Sequence, residues 1–268
     1  MEKNKEQEKR LDYLLEEFKA DSVEYKDIEI PEDINGKRCI LRSLMNVRMP
    51  KKMSDSVLKV QDEYLSVCAE EKGIVQLSDI PVTKRNISIW QGDITRLEVD
   101  AIVNAANSQM LGCFIPMHMC IDNQIHTYAG VQLREECSHK MKELRKKYGN
   151  YYEQPTAIPM ITNAYNLPAK NVIHIVGPIV RNRLTAELEQ ELADCYTNVL
   201  NMCLENNLKS VAFCCISTGV FRFPNKRAAE IAVDTVQKWL VENPNAMERV
   251  IFNVFKEEDK KYYEEILQ

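Results

Sequence analysis

The sequence contains no run of about 18 consecutive apolar residues, which excludes a membrane-spanning helix. It also lacks an excess of positive charge, since its formal net charge is −5, so bulk electrostatics do not drive binding to nucleic acid. The amino terminus is rich in charge and lacks the apolar core of a signal peptide. We therefore expect a cytoplasmic protein that binds neither membrane nor nucleic acid and selects its ligand through a specific site.

A disulfide framework is also missing. The nine cysteines are odd in number, and most lie in apolar runs such as residues 211–216. In a reducing compartment such residues are buried thiols. Only Cys113 and Cys120 have a histidine, His118, at a spacing that suits metal ligands.

What is present is enough for a folded domain with an appendage. With 45% hydrophobic and 28% charged residues, the 268-residue chain can bury a sizeable core. In residues 1–80, apolar residues recur at helical spacing among many charges around Leu11, Ile40 and Val57. We predict a small helical extension over residues 1–80, packed on a domain that occupies residues 81–268.

From residue 81 onward, short β-branched runs alternate with helical segments. The predicted strands cover residues 87–90, 101–103, 157–161, 172–176, 211–215 and 250–255. The predicted helices cover residues 124–147, 186–206, 226–241 and 257–267. This alternation is typical of an α/β fold with a largely parallel or mixed sheet, which binds ligands in loops at the carboxyl ends of strands.

Two of these strand ends carry polar residues that suit a nucleotide sugar. Asp93 follows Gly92 directly after the first predicted strand, where its carboxylate can accept from a purine amino group; an ordinary turn or a capping aspartate is the alternative. Asn104 and Asn107 follow the next strand and are separated by two alanines. Amides can both donate to and accept from ribose hydroxyls, although an asparagine-rich turn would have the same sequence.

A third segment, residues 216–221, joins an apolar strand to a helix that starts near Asn225. Small residues with free backbone N–H groups at such a junction can cradle phosphate oxygens. Phe221 can stack on a ribose or a base. A plain strand–helix loop is the alternative.

Three potential metal ligands, Cys113, His118 and Cys120, lie within eight consecutive positions. Thiolate and imidazole donors suit zinc. Three protein ligands leave one coordination position for water or substrate, as in catalytic zinc sites. The alternative is a chance cluster of cysteine and histidine in a loop.

Together, the three ligand-binding segments resemble those of a macrodomain, the ADP-ribose-binding module. The resemblance runs from about Ile87 to the carboxyl terminus and includes residues 171–178. It implies a three-layer α/β/α fold with a mixed six-stranded sheet. The ADP-ribose-binding residues that it implies are Asp93 for the adenine, Ile94 beside it, Asn107 for the distal ribose, and Ser217, Thr218, Gly219, Val220 and Phe221 for the diphosphate.

One departure from ordinary macrodomains indicates which class of macrodomain the sequence resembles. Their glycine-rich loop is replaced here by the segment from Cys113 to Cys120, and residues 121–126 read Ile-Asp-Asn-Gln-Ile-His. The combined motif is similar to that of zinc-containing macrodomains of microbes, which are hydrolases that remove ADP-ribose from protein carboxylates. The resemblance implies one zinc ion per chain, with Cys113, His118 and Cys120 as its ligands. It also implies a mono-ADP-ribosylated protein as substrate, with a sirtuin-like ADP-ribosyltransferase and a lipoyl carrier protein as partners.

The expected chemistry is cleavage of an ester between ribose and an Asp or Glu side chain. Zinc in an open site lowers the pKa of bound water to about 7 or polarises a substrate oxygen. By the resemblance, Asp122 matches the acid that orients the attacking water in related hydrolases. Asn107 would position the ribose. These two residues are the predicted catalytic residues.

Two other functions are compatible with the sequence. One is a reader module that binds ADP-ribose without cleaving it, with a fourth ligand closing the metal site; Cys137 is the nearest remaining cysteine. The other is hydrolysis of an O-acylated ADP-ribose. A zinc nucleobase deaminase is disfavoured, because the chain lacks His-x-Glu followed by Cys-x-x-Cys.

The other histidines are predicted to have structural roles. His174 lies within an apolar strand and is expected to be a satisfied core residue, and His139 is expected on a helix surface. His126 either supports a metal ligand or packs at a helix start. The basic run 140–147 is predicted to be a solvated helix face, with contact to an acidic modified protein as the alternative.

Overall fold

The computed structural model describes the backbone of residues 2–268 and the side chains from Asn4 onward. Within this range the chain forms eight α-helices and eight β-strands. The helices are α1 (Glu2–Asp21), α2 (Ile34–Val47), α3 (Asp55–Lys72), α4 (Ile121–Ala129), α5 (Val131–Tyr148), α6 (Ala186–Glu205), α7 (Asn225–Glu242) and α8 (Glu257–Leu267). The strands are β1 (Val75–Gln76), β2 (Ile87–Gln91), β3 (Leu97–Glu98), β4 (Ala101–Ala105), β5 (Met160–Asn163), β6 (Asn171–Ile175), β7 (Ser210–Phe213) and β8 (Arg249–Val254).

The six longer strands form one mixed sheet in the order β2-β8-β7-β4-β6-β5, in which only β5 is antiparallel to its neighbour. Helix α7 packs against α6 and against α8, while α4 packs on β4 and α5 on β5. The sheet therefore lies between two helical layers, and the predicted mixed six-stranded α/β fold is confirmed. Because five strands are parallel, their carboxyl ends meet at one edge of the sheet.

Two predicted element boundaries are wrong for the same backbone reason. The predicted helix 124–147 is two helices, since Gly130 has φ of +93° and ends α4 before α5 begins. The predicted strand 157–161 starts only at Met160, because Ala157 has φ of +61°, which is incompatible with a strand.

The central strand β4 lies in the apolar core. Ala101, Ile102 and Val103 are fully buried. Burial of the branched side chains of Ile102 and Val103 contributes roughly 1.5–3 kcal/mol each. The ring of Tyr196 from α6 packs 4.9 Å from that of Phe213 on β7. From residue 2 on, no helix is both long and apolar enough to cross a bilayer.

The first three helices, which were predicted as an extension, have an apolar core of their own. Leu11, Leu14 and Phe18 of α1 are buried against α2 and α3, and Val131 of α5 joins this cluster. The short strand β1 then pairs with β3. The division of the chain at residues 80 and 81 stays a prediction.

Candidate active site

The predicted site segments follow parallel strands and meet at the carboxyl edge of the sheet. Asp93 follows β2, the segment from Asn107 to Cys120 follows β4, and residues 217–221 follow β7. β8 lies between β2 and β7 in the sheet, and β7 pairs with β4. The topology therefore places these loops side by side at one edge of the sheet, the position at which open α/β sheets bind ligands. We refer to the region along these loops as the cleft.

The metal loop, residues 112–120, brings together the three predicted ligands. Sγ of Cys113 lies 3.5 Å from Nδ1 of His118, and the donor atoms of these residues and of Cys120 lie within 4.8 Å of one another. All three residues are half-buried. Cys120 also caps α4, where its Sγ accepts from the N–H of Asn123 at 3.4 Å. The helix start thus fixes one of the three donors.

The two thiols suit a cation. Burial raises the pKa of Cys120 to about 12, and the nearby Cys113 adds to this effect, so the Cys120 thiol stays neutral at pH 7 unless a cation binds it. Among the described residues, no fourth Cys, His, Asp or Glu joins the group. Cys137, the suggested fourth ligand, is fully buried elsewhere, with Sγ 3.7 Å from Nε2 of His174.

Asp122 and Asn107 lie next to this loop and contact each other. Nδ2 of Asn107 is 3.4 Å from Oδ2 of Asp122 and 3.2 Å from the Gly112 carbonyl. Oδ1 of Asn107 accepts from the N–H of Gln109. Burial raises the pKa of Asp122 to about 6, so its carboxylate is mainly ionised at neutral pH. The two predicted catalytic residues therefore form one polar unit beside the metal loop.

Asn104 has a different role from the one that its sequence suggested. It is fully buried, and its Nδ2 donates to Oδ1 of Asp122 at 2.7 Å and contacts Nδ1 of His174 at 3.1 Å. The expectation that both amides of the Asn-Ala-Ala-Asn segment face a ligand is therefore wrong for Asn104. Its amide holds the Asp122 carboxylate from inside the protein.

His174 is a satisfied core residue, as predicted. An amide nitrogen can only donate, so Nδ1 of His174 accepts from Asn104, and Nε2–H donates to Oγ1 of Thr162 at 3.0 Å. Burial lowers the pKa of His174 to about 3, so the ring is neutral. His126, His174 and Cys137 could geometrically hold a second metal, but these hydrogen bonds occupy both nitrogens of His174.

His126 is buried at the foot of the metal loop. Its ring is packed against Gly112, where an added Cβ would lie 2.8 Å from Cγ of the ring. Burial, reinforced by the Arg134 charge, lowers its pKa well below the usual value. The packing interpretation of His126 agrees with these contacts, although Nε2 also lies 3.5 Å from Oδ1 of Asp122.

The carboxylate of Asp93 lies at the end of β2. Its Oδ1 accepts from the N–H and Oγ1 of Thr95, at 3.0 and 2.6 Å, and its Oδ2 accepts from Nζ of Lys72 at 2.8 Å. Burial opposes ionisation, but these donors, led by Lys72, hold the pKa of Asp93 below its usual value. The side chain of Ile94 is buried, so only its backbone can contact a ligand. The cap interpretation of Asp93 is thus correct for the free protein.

The loop 217–221 is a tight turn with unused donors. Ser217 has φ of +65° and its carbonyl accepts from the N–H of Phe223 at 2.9 Å. Within the described structure, the N–H groups of Gly219, Val220 and Phe221 have no protein acceptor. Such a row of free N–H groups can bind an anion.

Three residues at the cleft were not identified from the sequence. Lys72, at the last turn of α3, lies over the Tyr128 ring at 3.1 Å as well as beside Asp93. Phe255 directly follows β8 and is 74% exposed, and its carbonyl lies 3.4 Å from Nε2 of Gln91 at the end of β2. Gly177 faces the loop 217–221 so closely that a Cβ would lie 2.1 Å from Oγ of Ser217. No clear signal in the sequence marks Phe255, because the apolar pattern extends the predicted strand through residue 255, one position beyond the end of β8.

The mixed sheet and the loops at its carboxyl edge define a macrodomain architecture. The chain belongs to the Macro domain family, whose family model matches residues 103–232. A protein-ADP-ribose hydrolase of Treponema medium is 48% identical over 97% of this chain and 99% of its own length. A protein of the same name from Staphylococcus aureus (strain MRSA252) is 42% identical over 99% of this chain and 97% of its own length. The crystal structure of a Trypanosoma brucei macrodomain in complex with ADP-ribose superimposes with a TM-score of 0.65, at 28% identity, over 85% of this chain and 95% of that one.

Proposed function

We propose that this protein is a zinc-dependent hydrolase that removes ADP-ribose from Asp or Glu side chains of mono-ADP-ribosylated proteins. The observation that carries the proposal is the cluster of two thiols and an imidazole directly beside the Asp122–Asn107 pair. The names of the two bacterial relatives, both protein-ADP-ribose hydrolases, support the reaction. A sirtuin-like ADP-ribosyltransferase and a lipoyl carrier protein stay predicted partners.

The residues of the metal loop fit one zinc ion per chain. Cys113, His118 and Cys120 offer a soft S₂N donor set, and the described structure adds no fourth protein donor to it, which leaves one position for water or substrate. Bound zinc supplies a Lewis acid and an acidified water at this position.

ADP-ribose would bind along the cleft from β2 to the metal loop. Asp93 accepts from the adenine amino group, and the exposed ring of Phe255 offers a stacking surface beside it. The free N–H groups of Gly219, Val220 and Phe221 donate to the diphosphate oxygens, with Ser217 and Thr218 in the same turn. Asn107 then holds the distal ribose next to the metal loop.

The carboxylate of Asp122 orients the attacking water in this arrangement. Oδ1 is fixed by the Asn104 amide at 2.7 Å, and an ionised carboxylate retains further acceptor positions. In the hydrolysis, one of the two C–O bonds of the ester oxygen breaks, and the oxygen of water bonds to the carbon that loses it. Asp122 takes the proton that water loses and passes it to the leaving oxygen. The products are free ADP-ribose and the unmodified carboxyl side chain.

The test is release of ADP-ribose from a glutamate-modified protein by wild type, Cys113→Ser and Cys39→Ser. Cys39 is exposed on α2 and outside the metal cluster, so its variant controls for loss of a thiol. We expect release by wild type and Cys39→Ser, loss in Cys113→Ser, and loss in chelator-treated wild type with recovery on adding zinc.

Other results would refute the proposal in distinguishable ways. Full activity of Cys113→Ser would exclude the zinc-dependent reaction. Tight ADP-ribose binding without release by any variant would favour the reader function. A much larger kcat/KM on O-acyl-ADP-ribose than on modified protein would instead identify the small molecule as the substrate.

A further inference from the structure

Two side chains of the N-terminal helices reach the metal loop. Arg42 and Asn46 are one turn apart on α2 and therefore project from the same helix face. Nη2 of Arg42 donates to the carbonyl of His118 at 2.9 Å and to Oδ1 of Asn123 at 2.8 Å. The first acceptor lies in the metal loop, and the second lies in the first turn of α4.

Asn46 makes a parallel pair of contacts and is 1% exposed. Its Oδ1 accepts from the N–H of Met117 at 3.1 Å, and its Nδ2 donates to Oγ1 of Thr127 at 2.9 Å. Thus each α2 side chain connects the metal loop, at residues 117 and 118, to α4.

Within the metal loop, the backbone at this point makes one turn hydrogen bond, from the N–H of His118 to the carbonyl of Ile115 at 3.2 Å. Met117 has φ of +57°, a left-handed conformation that a methionine rarely adopts. Ile115 and Met119, on either side, are 59% and 74% exposed. From α4, the amide of Asn123 donates to the carbonyl of Ile115 at 2.9 Å, and Asn123 itself accepts from Arg42. The conformation around His118 therefore depends on α2.

The position of α2 is in turn fixed by a buried arginine. Nη1 of Arg134 on α5 donates to the carbonyls of Asn46 and Arg48, at 2.7 and 2.6 Å, at the carboxyl end of α2. The guanidinium also lies 4.3 Å from the Phe114 ring, and Nη2 is 3.5 Å from the carbonyl of Cys113. The same cation thus joins α2 to the first ligand residue.

We propose that Arg42 and Asn46 are positioning residues of the metal site, through which the N-terminal helices set the orientation of His118 relative to Cys113 and Cys120. This inference rests on the proposed zinc site. Neither residue contacts a metal donor atom directly, so each acts through the backbone of the loop. Partners of this kind orient metal ligands, and their loss weakens metal binding without removing a ligand.

The test compares the full-length variants Arg42→Met and Arg38→Met. Arg38 lies one turn earlier on α2 and pairs with the exposed carboxylate of Glu71 at 3.0 Å, so it is a matched control away from the loop. We expect Arg42→Met to weaken zinc binding roughly 10- to 100-fold in competition with a chromogenic chelator. Arg38→Met should bind zinc as wild type does.

Two further measurements separate positioning from simple destabilisation. The visible spectrum of the cobalt-substituted protein reports the geometry at the metal, and we expect it to change in Arg42→Met but not in Arg38→Met. ADP-ribose affinity should stay near the wild-type value in both. Arg42→Lys, which retains a cationic donor, should recover part of the zinc affinity and provides the same test if Arg42→Met does not fold.

The outcomes distinguish this inference from the proposed function. If wild type binds zinc and both Arg42 variants match its affinity and cobalt spectrum, the positioning role is refuted while the zinc-dependent hydrolase stands. If wild type itself binds no zinc, the proposed function is refuted, and the positioning role with it.

Discussion

The buried histidine pair should make the protein sensitive to mild acid. His174 has a pKa lowered to about 3 by burial, compared with about 6.5 in an unfolded chain. Below pH 6.5, His174 therefore binds a proton in the unfolded state but stays neutral in the folded state. The stability that depends on neutral His174 is fully present above pH 6.5 and is lost as the pH falls from 6.5 towards 3.

The size of the effect follows from proton linkage. For one histidine with these two pKa values, acidification from pH 7 to pH 5 lowers the free energy of unfolding by about 2 kcal/mol. The pKa of His126 is lowered in the same direction, so it adds to the loss. The rings are 5.9 Å apart, and a charge on one also disfavours a charge on the other.

The assay is urea unfolding at pH 7, 6 and 5 with chelator present, for wild type, His174→Gln and His139→Gln. His139 is exposed, so its variant should lose stability on acidification as wild type does. His174→Gln is expected to start less stable at pH 7, because Asn104 and Thr162 lose their partner, yet to lose about 2 kcal/mol less between pH 7 and pH 5. Equal losses in all three proteins would refute the neutral, buried state of His174.

Three further predictions concern the cleft. Phe255→Ala should weaken ADP-ribose binding, measured by calorimetry, by about 1–3 kcal/mol and leave thermal stability unchanged. Tyr151→Ala, which also removes an exposed ring, should change neither quantity. Equal ADP-ribose affinity in the two variants would exclude stacking on Phe255. Gly177→Ala should lower the free energy of unfolding by about 1–3 kcal/mol and weaken ADP-ribose binding, because the added Cβ would lie 2.1 Å from Oγ of Ser217. Wild-type values in urea unfolding and in ADP-ribose binding would contradict this prediction and show that the loop 217–221 can move away without cost. Asn104→Ala should lower kcat roughly 10- to 100-fold with little change in KM, since the Asp122 carboxylate loses a donor; an unchanged kcat in steady-state kinetics would refute this positioning.

The sequence predicts well what depends on local pattern. Strand and helix periodicity identified the six strands of the main sheet, and the spacing of Cys113, His118 and Cys120 identified a donor cluster that the fold brings within 4.8 Å. These features succeed because ligands close in sequence on a short loop need little tertiary information. The break at Gly130 was missed because apolar periodicity continues through it, and only its φ of +93° separates the two helices.

What the sequence could not supply are contacts between distant segments. Nothing around Lys72 shows that its ammonium meets Asp93, 21 positions away, because a lysine in the last turn of a helix is common for electrostatic reasons alone. The burial of Asn104 was equally hidden, since an amide at a strand end suits a ligand as well as a core hydrogen bond. Its role depends on the pairing of β4 with β6, which places Asn104 opposite His174 in the core.

The N-terminal helices contact both ends of the cleft, and this limits how the chain can be divided. Lys72 of α3 holds Asp93 at the proposed adenine end, and Arg42 and Asn46 of α2 hold the metal loop at the other. The family model covers only residues 103–232, yet the Treponema medium relative aligns over 97% of the chain. A chain shortened to residues 81–268 would keep the sheet and every proposed ligand-contacting residue, but it would lose the cation at Asp93 and both α2 contacts to the metal loop. Through these contacts, α2 and α3 supply residues to both ends of the proposed site.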